Sequence, residues 1–116
     1  MERQAKQEII RRFARQISAQ PARDLILWSR HAVSELLNEG WRRSDVEVGL
    51  ADCEIIEDYE TLTRPLPDCL VIGVIGQTET FHAVVAVDEL NERLLIVTVY
   101  QPAESEWNDD WRTRKR

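Results

Sequence analysis

The stretch CLVIGVIGQTETFHAVVAVDELNERLLIVTVY, residues 69–100, decides the fold of this chain. It holds three runs rich in β-branched and apolar residues, Cys69–Ile75, Thr80–Val87 and Leu94–Tyr100. Such runs are typical of β-strands, and short polar links separate them here. Because links of this length join antiparallel neighbours, the stretch predicts a three-stranded meander. Glu54–Tyr59 is a candidate for a fourth strand.

Helical periodicity precedes these strands. Near the start of the chain, apolar residues recur at the spacing of an amphipathic helix, at Ile9, Ile10, Phe13 and Ile17. A second helix is predicted from Ala22 to Asn38, with Gly40 as its left-handed C-terminal cap. Its apolar face consists of Leu25, Trp28, Ala32, Val33, Leu36 and Leu37. Ser44 and Glu47 have the spacing of a capping box, which predicts a short third helix to about Asp52.

Helices that precede strands, rather than alternating with them, predict an α+β architecture. We expect two to three N-terminal helices packed on one face of a three- to four-stranded antiparallel sheet. A length of 116 residues predicts a single domain, residues 1–116. Within it, residues 1–20 form an added N-terminal helix, residues 22–102 the α+β core, and residues 103–116 a tail. Trp107 and Trp111 in that tail are expected to dock on the core.

The charge is unevenly distributed along the chain. Its net charge is -6, yet residues 31–111 hold eighteen acidic and four basic residues, and both termini are basic. An acidic body repels phosphate, so RNA binding would need the basic termini folded onto one face. No apolar run approaches a membrane span and the N-terminus lacks a secretory signal, which predicts a cytoplasmic protein without membrane contact. Cys53 and Cys69 have no metal-ligand spacing, so we expect small buried thiols, no metal and no cofactor.

The only histidines, His31 and His82, both occur in the tripeptide HAV, the first in a predicted helix and the second in a predicted strand. If the link after Asp88 has five residues, His82 lies directly across from Tyr100 as a proton-handling pair. If it has four, the two side chains lie on opposite faces. A structural role for each histidine is the alternative. We expect both rings to face one cleft, within about 10 Å of each other, a span that one substrate group bridges.

Several segments carry a resemblance to a known family. They are SRHAVSELLNEGWRRSDVEVGL, EIIEDY, CLVIG, FHAVVAVD, IVTVYQP and the terminal RTRKR, in this order. Over roughly residues 28–116 they resemble the bacterial family named domain of unknown function 4258. The positions shared with that family are His31, Tyr59, Gly73, His82 and Tyr100. Its genes often neighbour antitoxin-like zinc-finger genes, and its layout is similar to that of the RelE and BrnT toxins.

The resemblance implies a toxin-like, metal-independent ribonuclease with a cognate antitoxin as its partner. In that hypothesis His82 and Tyr100 transfer protons, His31 assists, and Arg30 or Arg64 binds phosphate. The alternative is a non-enzymatic interaction module. Such a module would bind a partner protein, or a second copy as a homodimer, through its sheet face or its tail.

Overall fold

The computed structural model describes residues 1–19, 25–59 and 65–116. Helix α1, Arg3–Ala19, forms as predicted and buries Ile10, Phe13 and Ala14 in the main core. In these ranges no helix combines the length and apolar character that crossing a bilayer requires.

The predicted helix from Ala22 to Asn38 is wrong over Ile26–Trp28, and its first residues, 22–24, lie outside the described residues. Residues Ile26–Trp28 form strand β1, and helix α2 spans only Arg30–Glu39. Ser29 separates the two elements because its hydroxyl accepts a hydrogen bond from the Ala32 N–H, which caps the helix (3.0 Å). Gly40 closes α2 in the left-handed conformation, as predicted (φ 73°).

Helix α3 spans Arg43–Gly49, and a 3₁₀ turn follows at Leu50–Asp52. The short third helix is therefore confirmed, but its predicted capping box is wrong. The carboxylate of Asp45 accepts a hydrogen bond from the backbone N–H of Arg42 (3.0 Å). Glu47 instead accepts a hydrogen bond from the indole of Trp28 (3.0 Å), and thereby joins α3 to the end of β1.

Among the described residues the sheet has five strands rather than the three or four expected. Four of them form the antiparallel meander, namely β2 Glu54–Asp58, β3 Asp68–Ile75, β4 Glu79–Asp88 and β5 Arg93–Tyr100. The spatial order is β1-β5-β4-β3-β2, and β1 pairs parallel to β5. The sheet is therefore mixed, a correction to the all-antiparallel expectation.

The link between β4 and β5 has four residues, since Asp88 pairs with Arg93. That register would place His82 and Tyr100 on opposite faces, yet the two residues are paired. A β-bulge at Val97 explains the difference, because it inserts one extra residue into β5 and reverses the side-chain alternation beyond it. Simple alternation would place Leu94, Ile96, Thr98 and Tyr100 on one face, but because of the bulge Leu94 and Ile96 lie on one face and Thr98 and Tyr100 on the other.

The helices pack on one face of the sheet, which we call the first face, as predicted. Its core includes Phe81, Ala83, Val85, Leu94, Ile96 and Val99. Helix α3 approaches β3 closely, because a Cβ at Gly73 would lie 2.4 Å from the ring of Phe81 and 3.1 Å from the carbonyl oxygen of Gly49. Cys53 and Cys69 are fully buried thiols in this core.

Helix α1 also covers the outer edge of β2. Gln7 accepts a hydrogen bond from the Ile55 N–H (2.9 Å), and Arg3 donates to the Ile55 carbonyl. Lys6, almost fully buried, bridges the Asp58 carboxylate and the Asp68 carbonyl. An exposed strand edge invites pairing with another chain, so these contacts keep β2 as the end of the sheet.

Candidate functional site

The opposite side of the sheet, the second face, carries His82 at its centre. His82 and Tyr100 are cross-strand partners, and their ring centroids lie 5.4 Å apart in an edge-to-face arrangement. The bulge at Val97 positions this pair, since it turns Tyr100 to the face that His82 occupies.

Both ring nitrogens of His82 have hydrogen-bond partners. Nε2 lies 2.6 Å from the carbonyl oxygen of Trp111. Because a carbonyl only accepts, the proton of the neutral imidazole sits on Nε2. Nδ1 then accepts the hydrogen bond that the Tyr100 hydroxyl donates (3.3 Å). The ring thus links the sheet to the tail.

The C-terminal tail seals His82 from solvent. Trp107 is 1% exposed and meets the histidine ring edge-on, with centroids 4.4 Å apart. Burial lowers the pKa of His82, and the Trp111 carbonyl offsets only part of that effect. Burial also raises the pKa of Tyr100, so the pair is neutral near pH 7.

A carboxylate and a guanidinium complete this arrangement. Arg114 donates two hydrogen bonds to Glu57 (2.6 and 3.0 Å) and stacks over Trp107, 4.7 Å from the ring centroid. These bonds lower the pKa of Glu57 and raise that of Arg114. The Tyr59 hydroxyl donates to the same carboxylate (3.0 Å), and burial followed by that bond raises the pKa of Tyr59 to about 12.

We call this set the sheet–tail cluster, and its members are Glu57, Tyr59, His82, Tyr100, Trp107 and Arg114. Within it the charges of Glu57 and Arg114 form an ion pair, and both ring nitrogens of His82 make hydrogen bonds to protein atoms. Sequence reasoning gave the histidine–tyrosine pair as one of two alternatives, for a five-residue link that the structure does not have. It expected Trp107 and Trp111 to dock; the structure buries Trp107 and leaves Trp111 partly exposed. It did not single out Arg114 and assigned no role to Glu57. An arginine at the C-terminus and a glutamate in a strand carry no signal of pairing without the fold.

His31 lies elsewhere. It is 71% exposed on α2, with its Nε2 3.2 Å from the Glu35 carboxylate. Glu35 accepts hydrogen bonds from the Thr98 hydroxyl and from the Val99 N–H (3.1 Å), where β5 extends beyond β1. The hydrogen-bond partners of His31 and His82 are therefore different residues, one set at the helix–sheet margin and the other beneath the tail.

Of the two candidate phosphate-binding residues, only Arg30 can be placed, and it does not join the cluster. Arg30 is exposed at the first position of α2. Arg64 lies outside the described residues. In residues 1–19, 25–59 and 65–116, no group of three or more histidine, cysteine or acidic side chains is arranged to hold a metal ion.

The tail covers only part of the second face. Beside it lies a groove of about 490 Å³, lined by Tyr59, Pro65, Leu66, Asp68, Val84, Ala86, Leu95 and Val97. Val97 at the bulge is 37% exposed. Leu27 pairs with Leu95 and extends the apolar surface onto β1 at 36% exposure. The groove is thus a mainly apolar surface among the residues that the structure describes.

The fold and this site define a small α+β domain whose mixed sheet carries helices on one face and a C-terminal tail on the other. Residues 28–101 match the family described as domain of unknown function 4258, and the chain belongs to that family. No curated protein and no solved structure matches the chain. The matched range contains His82, Tyr100 and the groove floor but ends before Trp107 and Arg114.

Proposed function

We propose that this chain is a non-enzymatic protein-interaction module that docks a partner protein in the groove of the second face. The observation that carries the proposal is the groove itself, a mainly apolar surface beside the tail on that face. Contiguous apolar surface on a small domain marks an interaction site more often than it is incidental.

The sheet–tail cluster also favours this function over catalysis. His82 is 0% exposed and both its nitrogens are occupied. Arg114 already binds Glu57, and Arg112 binds Glu54 (3.1 Å). The basic residues that folded onto this face are thus paired with carboxylates of β2, which leaves them less able to bind phosphate.

Selection of short peptides displayed on phage tests the proposal directly. The full chain is the bait, and a Val97→Asp variant, which introduces a charge into the groove, is the counter-selection. Leu90→Asp is a matched control, because Leu90 is 93% exposed in the β4–β5 turn and the substitution adds the same charge. Peptides that bind the wild type and Leu90→Asp but not Val97→Asp are expected. If no peptide distinguishes the two variants, the groove is not a docking site.

A toxin-like, metal-independent ribonuclease is the second candidate, and the direct pairing of His82 with Tyr100 favours it. In this function the hydroxyl of Tyr100, a half-buried residue, would exchange a proton with substrate while His82 accepts from it. Single-stranded RNA is incubated with the full chain in the presence of a chelator. Cleavage that Tyr100→Phe abolishes and His31→Gln retains would support this candidate, whereas intact RNA would reject it.

A further inference from the structure

The C-terminal tail, residues 103–116, is folded by contacts within itself. Every backbone–backbone hydrogen bond that it makes to a described residue stays inside the tail. A β-bridge pairs Trp107 with Arg114. Between them, the Asp110 carboxylate accepts hydrogen bonds from the N–H and the hydroxyl of Thr113 (3.0 and 2.9 Å) and closes the turn. Because the tail is one closed unit, its attachments to the sheet are expected to release together.

Side chains, rather than a β-ladder, attach the tail to the sheet. Among the described residues no backbone–backbone hydrogen bond joins the two. The attachments are a ring contact, two ion pairs and one bond to a backbone carbonyl, namely Trp107–His82, Arg114–Glu57, Arg112–Glu54 and His82–Trp111. A strand that leaves a sheet breaks a ladder of backbone bonds. Detachment of the tail breaks none of the ladders that hold the sheet.

The docked tail carries two local costs. The buried indole N–H of Trp107 finds no acceptor among the described residues, and an unpaired buried donor is unfavourable. Trp111 holds a left-handed backbone (φ 60°), which is also unfavourable for a bulky residue. Detachment hydrates the indole and frees Trp111 to leave that conformation. Both effects favour release and oppose the burial of the Trp107 ring.

The docked tail also closes access to His82. The histidine is 0% exposed, its Nε2 is bonded to the Trp111 carbonyl, and the Trp107 ring packs against its imidazole. Its Nδ1 faces the hydroxyl of the half-buried Tyr100. Detachment removes both tail contacts and leaves the imidazole, still bonded to Tyr100, open to solvent.

We infer that the tail is a strap that controls access to the His82–Tyr100 pair: it detaches from the second face while the sheet stays folded. Domains open locally in this way where a segment is held by few contacts. The strap lies beyond the segment matched to the family, which ends at residue 101. The inference goes beyond the proposed function, since it holds whether or not a partner docks in the groove.

Modification of the full chain with diethyl pyrocarbonate, which acylates accessible neutral imidazoles, tests the inference. Mass spectrometry follows His82, and His31, which is 71% exposed, is the internal reference. We expect His82 to react far more slowly than His31, at a rate that changes little with urea well below the unfolding transition, because detachment exposes little surface. Exchange of the β4 backbone amides, which requires the sheet to open, should rise steeply over the same range.

A variant in the ion pair identifies what holds the strap. Glu57→Gln removes the charge that Arg114 binds and keeps the shape of the side chain. We expect the rate of His82 modification, taken relative to the reference, to rise about tenfold, the effect of losing charge-assisted hydrogen bonds at a half-exposed site. Glu89→Gln is the matched control, because it removes the same charge from the exposed β4–β5 turn and should leave the rate close to wild type.

Each contrary result overturns a stated part of the inference. If His82 modification has the same urea dependence as β4 amide exchange, the tail leaves only when the whole domain unfolds, and there is no strap. If His82 reacts as fast as His31 in the wild type, the tail does not control access to the pair. Equal rates in Glu57→Gln and Glu89→Gln would overturn the role of the ion pair.

Discussion

At the scale of single residues, His82 joins two parts of the chain that are distant in sequence. Its Nδ1 accepts from Tyr100 on the neighbouring strand, and its Nε2 donates to the Trp111 carbonyl in the tail. Trp111 holds that carbonyl in place with a left-handed backbone (φ 60°), which is unfavourable for a bulky residue. The bond to His82 helps to offset that cost.

The burial of His82 predicts a dependence of stability on pH. Its folded pKa lies below the value of about 6.5 expected in an unfolded chain. The unfolded state therefore binds a proton more readily, so the contribution is fully present above the unfolded pKa and is lost as pH falls through the folded pKa. We expect the free energy of unfolding, measured with urea, to decrease as pH falls below about 6.5.

His82→Gln should be less stable near neutral pH and should have a flatter pH profile in that window. His31→Gln, at an exposed site, serves as the control and should retain the wild-type profile. NMR titration of the wild type gives an independent reading, because the His82 ring should titrate below pH 6.5. A His82 ring that titrates at or above that value would contradict the prediction.

Glu92 is the second non-glycine residue with positive φ (52°) among the described residues, and it lies in the turn between β4 and β5. A left-handed conformation costs a residue with a Cβ about 1–2 kcal/mol, part of which glycine recovers. We expect Glu92→Gly to stabilise the fold by about 0.5–1 kcal/mol in urea unfolding. Glu89→Gly in the same turn, at a residue without positive φ, should destabilise it. Destabilisation by both would show that the backbone of Glu92 is not strained.

At the scale of elements, the bulge in β5 explains how one strand serves both faces of the sheet. Before Val97, Leu94 and Ile96 point into the helix-covered core; after it, Val99 takes over that position and Tyr100 joins the second face. A strand without the bulge could pair with β4 only in the four-residue register, which separates Tyr100 from His82.

Trp107 anchors the tail as an element, and its substitution should be costly. It is 1% exposed, and truncation of a buried tryptophan to alanine costs about 3–5 kcal/mol. Trp111→Ala should cost markedly less, because Trp111 is partly exposed and its backbone carbonyl remains for His82. Thermal unfolding followed by circular dichroism compares the two variants.

Trp107→Phe distinguishes packing from hydrogen bonding at this position. The indole N–H of Trp107 is buried and finds no acceptor among the described residues. Phenylalanine retains most of the ring contacts and removes that unsatisfied donor, so we expect a much smaller loss than with alanine. Equal losses in the two Trp107 variants would contradict the assignment of the ring as the anchor.

At the scale of the whole molecule, both basic termini converge on the acidic strand β2. From the N-terminal side, Arg3 binds the Ile55 carbonyl and Lys6 binds Asp58. From the C-terminal side, Arg112 and Arg114 bind Glu54 and Glu57. The basic residues near the two ends of the chain therefore both contact the one acidic strand β2.

Removal of the tail tests this organisation. A chain that ends at Pro102 loses Trp107, Trp111 and Arg114, so its melting temperature should fall sharply. In the truncated chain the His82 ring loses its cover, and its pKa should rise toward the value of an exposed imidazole. NMR titration measures that rise, and an unchanged melting temperature would show that the tail contributes nothing to the fold.

The sequence by itself determined the features that depend on local pattern. The meander, helix α1, the C-terminal cap at Gly40 and the helix-covered face of β4 follow from side-chain periodicity and backbone preference, which act over a few residues. The alternation of β4 also placed His82 on the face opposite Phe81. Membership of a family without an established function added no further chemistry.

Only the tertiary structure decided the features that depend on distant partners. Ile26–Trp28 is a strand because β5 supplies its hydrogen bonds, although the apolar spacing suits a helix equally well. The bulge at Val97 depends on how β5 pairs with β4, and the roles of Glu57 and Arg114 depend on a contact across 57 residues. Each of these features depends on strand pairing and side-chain burial between segments that are distant in sequence. A short stretch of sequence does not contain both partners, so it cannot predict them.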